Sequence, residues 1–532
     1  MSYSDEGVAA QLDRRAAAAE SLLLAAAEAR DELADALARG GFRRCDDAVD
    51  AGEGWCGVLT FRPVGNEDGP VRTTVLGIAV SADFPFAPPK VYPGSRGWAE
   101  LVTGRSFDEE YYEAGRGWHR DLDLAMCLFD EADHARLRWA DGAVLLQQAR
   151  AWLAADAASW PDDAPALDLE RYLPRAADQR VVLYGPLDEL DGVVLRLQNK
   201  PHGVLRLGRP AGQVRSGSRR RPWGRDVVLV LAAGELAGPV RDWDGLCSAI
   251  GPARAEWLFR GQLAGLTRVL MTYTRGGVPA ALALELSTLH RGEVQLRAMR
   301  AAPDDLATRR IRAGVGAESL STRKVAVVGV GAIGSIVADL LHRGGVGHLH
   351  LIDADSVLPG NTTRHLLGDV AVGRPKAHAV AEALRAARPH LGQITSTIGK
   401  VDTSQSAVEV LATADVVVDA TAESTATALL TAAARAGAGQ LLSVYVLADG
   451  YAVRVDRTPV SDGETPLPPP QLPPPAPTVY EAGCGSPVST TPPAAAWEAA
   501  AIAVRHTVDL LLNPESVPAG EERRLHPKAA PR

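Results

Sequence analysis

Apolar and polar residues are spaced in three different ways along this chain. Residues 8–39 are rich in Ala, Leu and Glu and hold no Gly or Pro before Gly40, which predicts one amphipathic helix. Strand-like runs follow at 55–62 and 71–80, then FPFAPPKVYP at 84–93, whose prolines impose an extended, turning path unsuited to a central strand. A loop reading WHRDLDLAMCLFD covers 118–130, and a tryptophan-containing helix is expected near 139–155. This order predicts an α+β domain over 1–158.

Residues 159–179, opening SWPDDAPALDLERYLPRAA, read as a linker. Across 180–304 the runs RVVLYG, VVLRLQ, DVVLVLAA and LALELS alternate with helical stretches, predicting a separate middle domain of α/β or α+β type. No chemistry is legible there, and the isolated Cys247, His202 and His290 read as structural. From 305 to 532 the pattern becomes buried strand, glycine turn, helix and strand, as in a Rossmann-like α/β domain. A proline-dense run, Pro466–Pro477, reads as a protruding loop, and an Ala-rich helix is expected at 494–512.

At 532 residues, 46% hydrophobic and 23% charged, the chain suits several globular domains. A formal net charge of −9 argues against a general nucleic-acid binder, and the basic cluster RSGSRRRPWGR reads as a solvated loop. There is no apolar run long enough to cross a membrane, and MSYSDEG lacks the basic start of a signal peptide, so a cytoplasmic location is expected. The five cysteines, at 45, 56, 127, 247 and 484, are scattered, odd in number and without a C-x-x-C pair. They suit reduced thiols, and no structural zinc is expected.

The densest chemistry lies in 325–376. VAVVGVGAIG places Gly329, Gly331 and Gly334 between a strand and a helix, where backbone amides and the helix dipole receive phosphate. That turn alone suits NAD, FAD or ATP. Asp353 lies 19 residues beyond Gly334, at the end of the next strand, where a carboxylate receives ribose hydroxyls. Asn361, Arg364 and Lys376 then supply an amide, a guanidinium and an ammonium. An oxidoreductase has no use for that donor set, whereas a site gripping a triphosphate does, so the set points to ATP.

These residues, as GVGAIGS, LIDADSVLPGNTTRH and GRPK, resemble the ThiF/MoeB and ubiquitin-activating superfamily, which adenylates the C-terminal carboxylate of ubiquitin-like or sulfur-carrier proteins. The resemblance covers roughly 305–512. It implies that Gly331 and Gly334 lie under the phosphates, that Asp353 holds the ribose, and that Asn361, Arg364 and Lys376 surround the triphosphate. It also implies a homodimer in which Arg309 or Arg310 reaches the partner's ATP; an exposed basic approach to the strand is the alternative. The family's magnesium carboxylate falls at Ala422 in VVVDATAES, leaving Asp419 or Glu423 to substitute.

Residues 8–158 resemble a ubiquitin-conjugating domain through Phe84–Pro85, Pro88–Pro89, His119, Met126–Cys127–Leu128 and Trp139. The resemblance makes Cys127 the thioester-accepting cysteine. The family's His-Pro-Asn is replaced by His119–Arg120–Asp121, so Asp121 is the candidate to orient the attacking amine. Cys484, between Gly483 and Gly485, matches the cysteine that attacks the adenylate in ubiquitin-type activating enzymes, and its flanking glycines favour access.

A conjugating-like domain followed by an activating-like one resembles the fused proteins of bacterial antiphage operons of the CBASS type. Their substrate is the C-terminal tail of a cyclic-oligonucleotide nucleotidyltransferase, joined to an amine-bearing acceptor. The readings left open are a sulfur-carrier adenylyltransferase, an NAD-dependent oxidoreductase and a catalytically weak binding scaffold.

Overall fold

The computed structural model describes residues 5–45, 53–66, 68–161, 163, 167–213, 223, 226–288, 293–474, 479–480 and 487–525. The chain divides into two compact units, Met1–Asp304 and Asp305–Arg532.

In the first unit the helix Asp5–Arg39 is followed by an antiparallel sheet ordered Arg43–Arg44, Glu53–Phe61, Arg72–Val80, Lys90–Pro93. Leu33 and Leu37 of the helix are buried in one core with Trp55, Leu59, Leu76, Ile78, Trp139 and Leu153. The helix Gly142–Ala157 starts at Asp141, whose carboxylate accepts from the amides of Ala143 and Val144. Gly142 lets it approach the first helix, because a Cβ there would sit 2.5 Å from that of Ala36. The helix contains Trp152, while Trp139 lies just ahead of it in a short 3-10 turn, its indole N–H donating to the Pro85 carbonyl at 2.6 Å.

An eight-stranded mixed sheet completes this unit. Its order is Val294–Met299, Val278–Thr288, Arg268–Arg275, Val227–Glu235, Val193–Lys200, Val204–Gln213, Val181–Tyr184, Ala301–Pro303. The helices Trp243–Ile250 and Pro252–Leu263 bury Leu246, Ile250 and Leu258 against Leu229, Leu231 and Val269. The stretch read as a linker joins the same core: Leu169, Tyr172 and Leu173 are buried, and Leu169–Tyr172 forms a 3-10 turn. Prolines and carboxylates around these residues masked an apolar anchor.

The second unit holds a seven-stranded sheet ordered Gln393–Thr397, His348–Ile352, Lys324–Val328, Val416–Asp419, Leu441–Leu447, Ala452–Thr458, Gly520–Arg524, the first five parallel and the last two antiparallel additions. Both faces are covered, which is why VAVV and VVVD read as continuous apolar runs. Val325 and Val327 pack under the helices Gly334–Arg343, Lys376–Ala387 and Pro493–Leu512. Ala326 and Val328 pack under Ser404–Thr413 and Ser424–Arg435. From Lys324–Val328 the chain moves first to one neighbour and later to the other, so the crevice beyond these strands is a topological switch point. The proline run is tied down at its start, where the Arg454 guanidinium donates to the carbonyls of Leu467 and Pro468.

Candidate active site

The glycine turn lies at that switch point. Gly329 has φ +81°, and a Cβ there would meet the Thr421 backbone at 2.7 Å. A Cβ on Gly334 would lie 1.8 Å from the Gly329 carbonyl oxygen. Both glycines are demanded by the protein itself. Gly331 has nothing within 4 Å of its would-be Cβ, so the protein leaves open space at the mouth of the helix.

Asp353 braces the turn, its Oδ2 accepting from the Val330 amide at 2.7 Å and its Oδ1 from the Asp355 amide at 2.8 Å. The second brace is one that sequence reasoning missed. His365 is buried; its Nδ1 accepts from the Leu367 amide at 3.0 Å and its Nε2 lies 2.9 Å from the Val330 carbonyl. The ring is therefore the neutral Nε2–H tautomer, and burial lowers its pKa in keeping with that. Ser335 adds a hydroxyl that accepts from the Leu366 amide. No motif spacing singled out His365, which sits directly beside Arg364.

Beyond the turn lies a cavity of about 710 Å³ lined by Gly331, Arg364, Thr421, Glu423, Tyr445 and Thr491, among others. Arg364 donates from Nη1 to the Ser489 carbonyl at 2.8 Å. Lys376 begins its helix with a side chain only 12% exposed, and its ammonium lies 3.0 Å from the Asp355 carboxylate. Asn361 turns its carbonyl oxygen to the Leu358 amide at 3.0 Å, closing a short turn ahead of Arg364. Arg309 is exposed and Arg310 half-buried on the short helix Leu306–Ile311, and neither lines this cavity.

The two carboxylates considered for magnesium differ in availability. Asp419 is 1% exposed and already accepts from the Thr421 amide and hydroxyl and from the Thr427 hydroxyl at 2.6–3.0 Å. Glu423 is exposed on the cavity wall, beside Ala422, which has φ +55°. Among the described residues no group of three or more His, Cys, Asp or Glu is set to hold a metal. One free carboxylate nevertheless fits magnesium, which takes most of its ligands from phosphate and water.

In the first unit Cys127 is half-buried, and its amide donates to the His119 carbonyl at 2.8 Å. It lines a second cavity, of about 820 Å³, with Asp121, Asp123, Lys90, Tyr92 and Arg171. Burial pushes the thiol pKa up, and the Arg171 guanidinium opposes that shift. Asp121 is pushed up to about 6, by burial and then by hydrogen bonding to Asp123, while Asp123 is held down at about 2 by Asp121 and Lys90. The His119 ring is engaged elsewhere, 2.9 Å from Asp163 and 4.0 Å from the Trp160 ring. His119 meets the Cys127 loop through its backbone carbonyl. Cys484 lies outside the described residues.

The ThiF family model matches residues 305–504, so the second unit carries a ThiF-like α/β domain. The ATP-dependent ubiquitin transferase-like protein Cap2 of Enterobacter hormaechei subsp. hoffmannii is 32% identical over 177 residues, which are 32% of this chain and 28% of that protein. Cap2 of Vibrio cholerae is 35% identical over 176 residues, 32% of this chain and 29% of that protein. The molybdopterin-synthase adenylyltransferase of Escherichia coli is 36% identical over 107 residues, 20% of this chain and 42% of that enzyme. The chain thus spans less than half the length of these curated relatives. No described helix is long and apolar enough to cross a membrane.

Proposed function

We propose that this chain activates the C-terminal carboxylate of a protein tail with ATP and passes the acyl group through thioesters to an amine. The observation that carries the reading is the convergence of Gly331, Arg364 and Glu423 on one cavity, with Asp353 bracing the adjoining turn at Val330. In it, Asp353 takes the ribose hydroxyls, the open space at Gly331 admits phosphate to the helix amides, and Glu423 would hold magnesium, which would neutralise phosphate charge when bound. Arg364 meets charge building on the attacked phosphorus as the tail carboxylate adds, and Lys376 neutralises the departing pyrophosphate. Asn361 and a partner's Arg309 or Arg310 complete the set if the chain is a homodimer, which light scattering tests.

Cys484 then attacks the acyl-adenylate, releasing AMP, and Cys127 takes the acyl group by thioester exchange. The antiparallel sheet, the proline bend and the half-buried Cys127 support a ubiquitin-conjugating-like role for the first part of the chain. Similarity to two Cap2 proteins supports bacterial antiphage signalling of the CBASS type, with a cyclic-oligonucleotide nucleotidyltransferase as the tail donor. Similarity to molybdopterin-synthase adenylyltransferase favours a second reading, sulfur-carrier activation, in which Cys127 is idle.

The test is tail-dependent ATP–pyrophosphate exchange by the full chain. Exchange in the wild type and its fall by about a hundredfold or more in Lys376→Ala is expected. Undiminished exchange in that variant would remove the assigned site.

A further inference from the structure

Cys127 meets a charged partner from outside the antiparallel-sheet domain. Arg171, on the turn Leu169–Tyr172, points Nη2 at the Cys127 sulfur from 3.5 Å. That turn is anchored in the core of the eight-stranded sheet by Leu169 and Tyr172. A second arginine of the same part, Arg241, donates to the carbonyls of Arg116, Gly117, Arg120 and Asp121, and its guanidinium lies 4.6 Å from the Tyr172 ring. The middle sheet therefore grips the loop that carries the thiol and presents a cation to it.

We propose that Arg171 is a catalytic residue of the acceptor site, pairing with the Cys127 thiolate during acyl transfer. This rests on the reading of Cys127 as the acceptor. In the exchange, the Cys127 proton leaves to solvent, and the thiolate adds to the donor thioester carbonyl. The new carbon–sulfur bond forms as the old one breaks, and the donor sulfur departs as thiolate. One anion is consumed and one released, so a fixed cation beside the nucleophile stabilises it without being used up. Around the sulfur, Arg171 and Arg241 favour the thiolate, Asp121 and Asp168 oppose it, and Lys90, Tyr92, Asp123, Asp83 and His134 line the same cavity. Arg171 is also within 3.5 Å of Asp168, which fixes its direction. The role was invisible in the sequence because the turn resembles a linker.

The experiment is alkylation of the full chain with iodoacetamide, an uncharged reagent, from pH 6 to 9.5, with each cysteine followed by peptide mass spectrometry. Cys247, half-buried in the same unit, is the internal control. Arg171→Ala is expected to slow Cys127 alkylation about fivefold at pH 7.5 and move its midpoint upward, with Cys247 unchanged and Arg171→Lys restoring most of the rate. An unchanged Cys127 rate, or a change shared equally by Cys247, would overturn the pairing. Acyl transfer to position 127 is measured on the same proteins. If alkylation responds to Arg171 while no acyl group reaches position 127, the acceptor reading and Arg171's part in transfer fall together. If acyl transfer proceeds while alkylation ignores Arg171, only the pairing is wrong.

Discussion

Asp353 accepts the Val330 amide at 2.7 Å, so the carboxylate at the end of one strand fixes the turn at the end of its neighbour. A carboxylate offers about four acceptor positions, and this one spends one on each oxygen in the protein. Both oxygens retain capacity for ribose hydroxyls. Asp353→Ala is expected to weaken ATP binding by about tenfold to a hundredfold, measured by calorimetry, through loss of charge-assisted hydrogen bonds and loosening of the turn. Unchanged affinity would remove Asp353 from the nucleotide site.

The three glycines of the turn separate into two kinds. Gly334→Ala forces a Cβ into the Gly329 carbonyl, and Gly329→Ala combines a positive φ with contact on Thr421. Each is expected to destabilise the second unit by about 2 kcal/mol or more, seen as a lower Tm. Gly331→Ala meets nothing in the protein, so its Tm should hold while ATP affinity falls by about tenfold, since the methyl occupies the space phosphate needs. A Gly331→Ala chain that bound ATP normally would show that phosphate does not approach there.

Much of this site is written in local sequence because its parts are turn and strand-end residues. The positive φ at Gly329 and the close approach at Gly334 leave a glycine pattern, and Asp353 follows at the length of one helix and one strand. His365 and the Asp419 network are legible only in three dimensions. Asp419 looked available for a metal, but Thr421 and Thr427 reach it only once the loop and following helix fold back. Arg171 and Arg241 were hidden for the same reason, their partners lying 44 and more than 100 residues away. The eight-stranded sheet was only half legible: Val204–Gln213 is broken by Gly, Pro and Arg residues that mask its alternation.

Asp419 and Glu423 should respond differently to loss of charge. Asp419→Asn places an amide among three donors in a buried site and is expected to cost about 1–3 kcal/mol of stability. Glu423→Gln should leave Tm unchanged and raise the magnesium needed for half-maximal pyrophosphate exchange by about fivefold. A normal magnesium response in Glu423→Gln, together with a lost one in a stably folded Asp419→Asn, would reverse the assignment.

Asp121 couples the acceptor site to pH. Its folded value of about 6 lies above the ordinary 3.8, so folding favours its protonated form. The stabilisation from that preference is fully present below pH 3.8 and is lost as pH rises through 6. Asp121→Asn should therefore be more stable than the wild type above pH 6 and lose that advantage below about pH 4 in thermal melts. If ionised Asp121 orients the amine, aminolysis of a Cys127 thioester should rise through about pH 6 in the wild type. In Asp121→Asn it should be about tenfold slower, with that inflection gone. A wild-type profile without the inflection would assign amine orientation to another group.

The relay itself is tested most directly by trapping it. A Cys127→Ser chain, expressed in cells that use the system, holds a transferred acyl group as a slowly hydrolysed oxyester that intact mass and peptide mapping can read. A protein tail, ending at its own C-terminus, is expected at residue 127 and is expected to be absent when Cys484 or Lys376 is also replaced. A chain that carries no adduct at 127 in such cells, while still exchanging pyrophosphate, would contradict the relay and leave an adenylyltransferase of the sulfur-carrier kind.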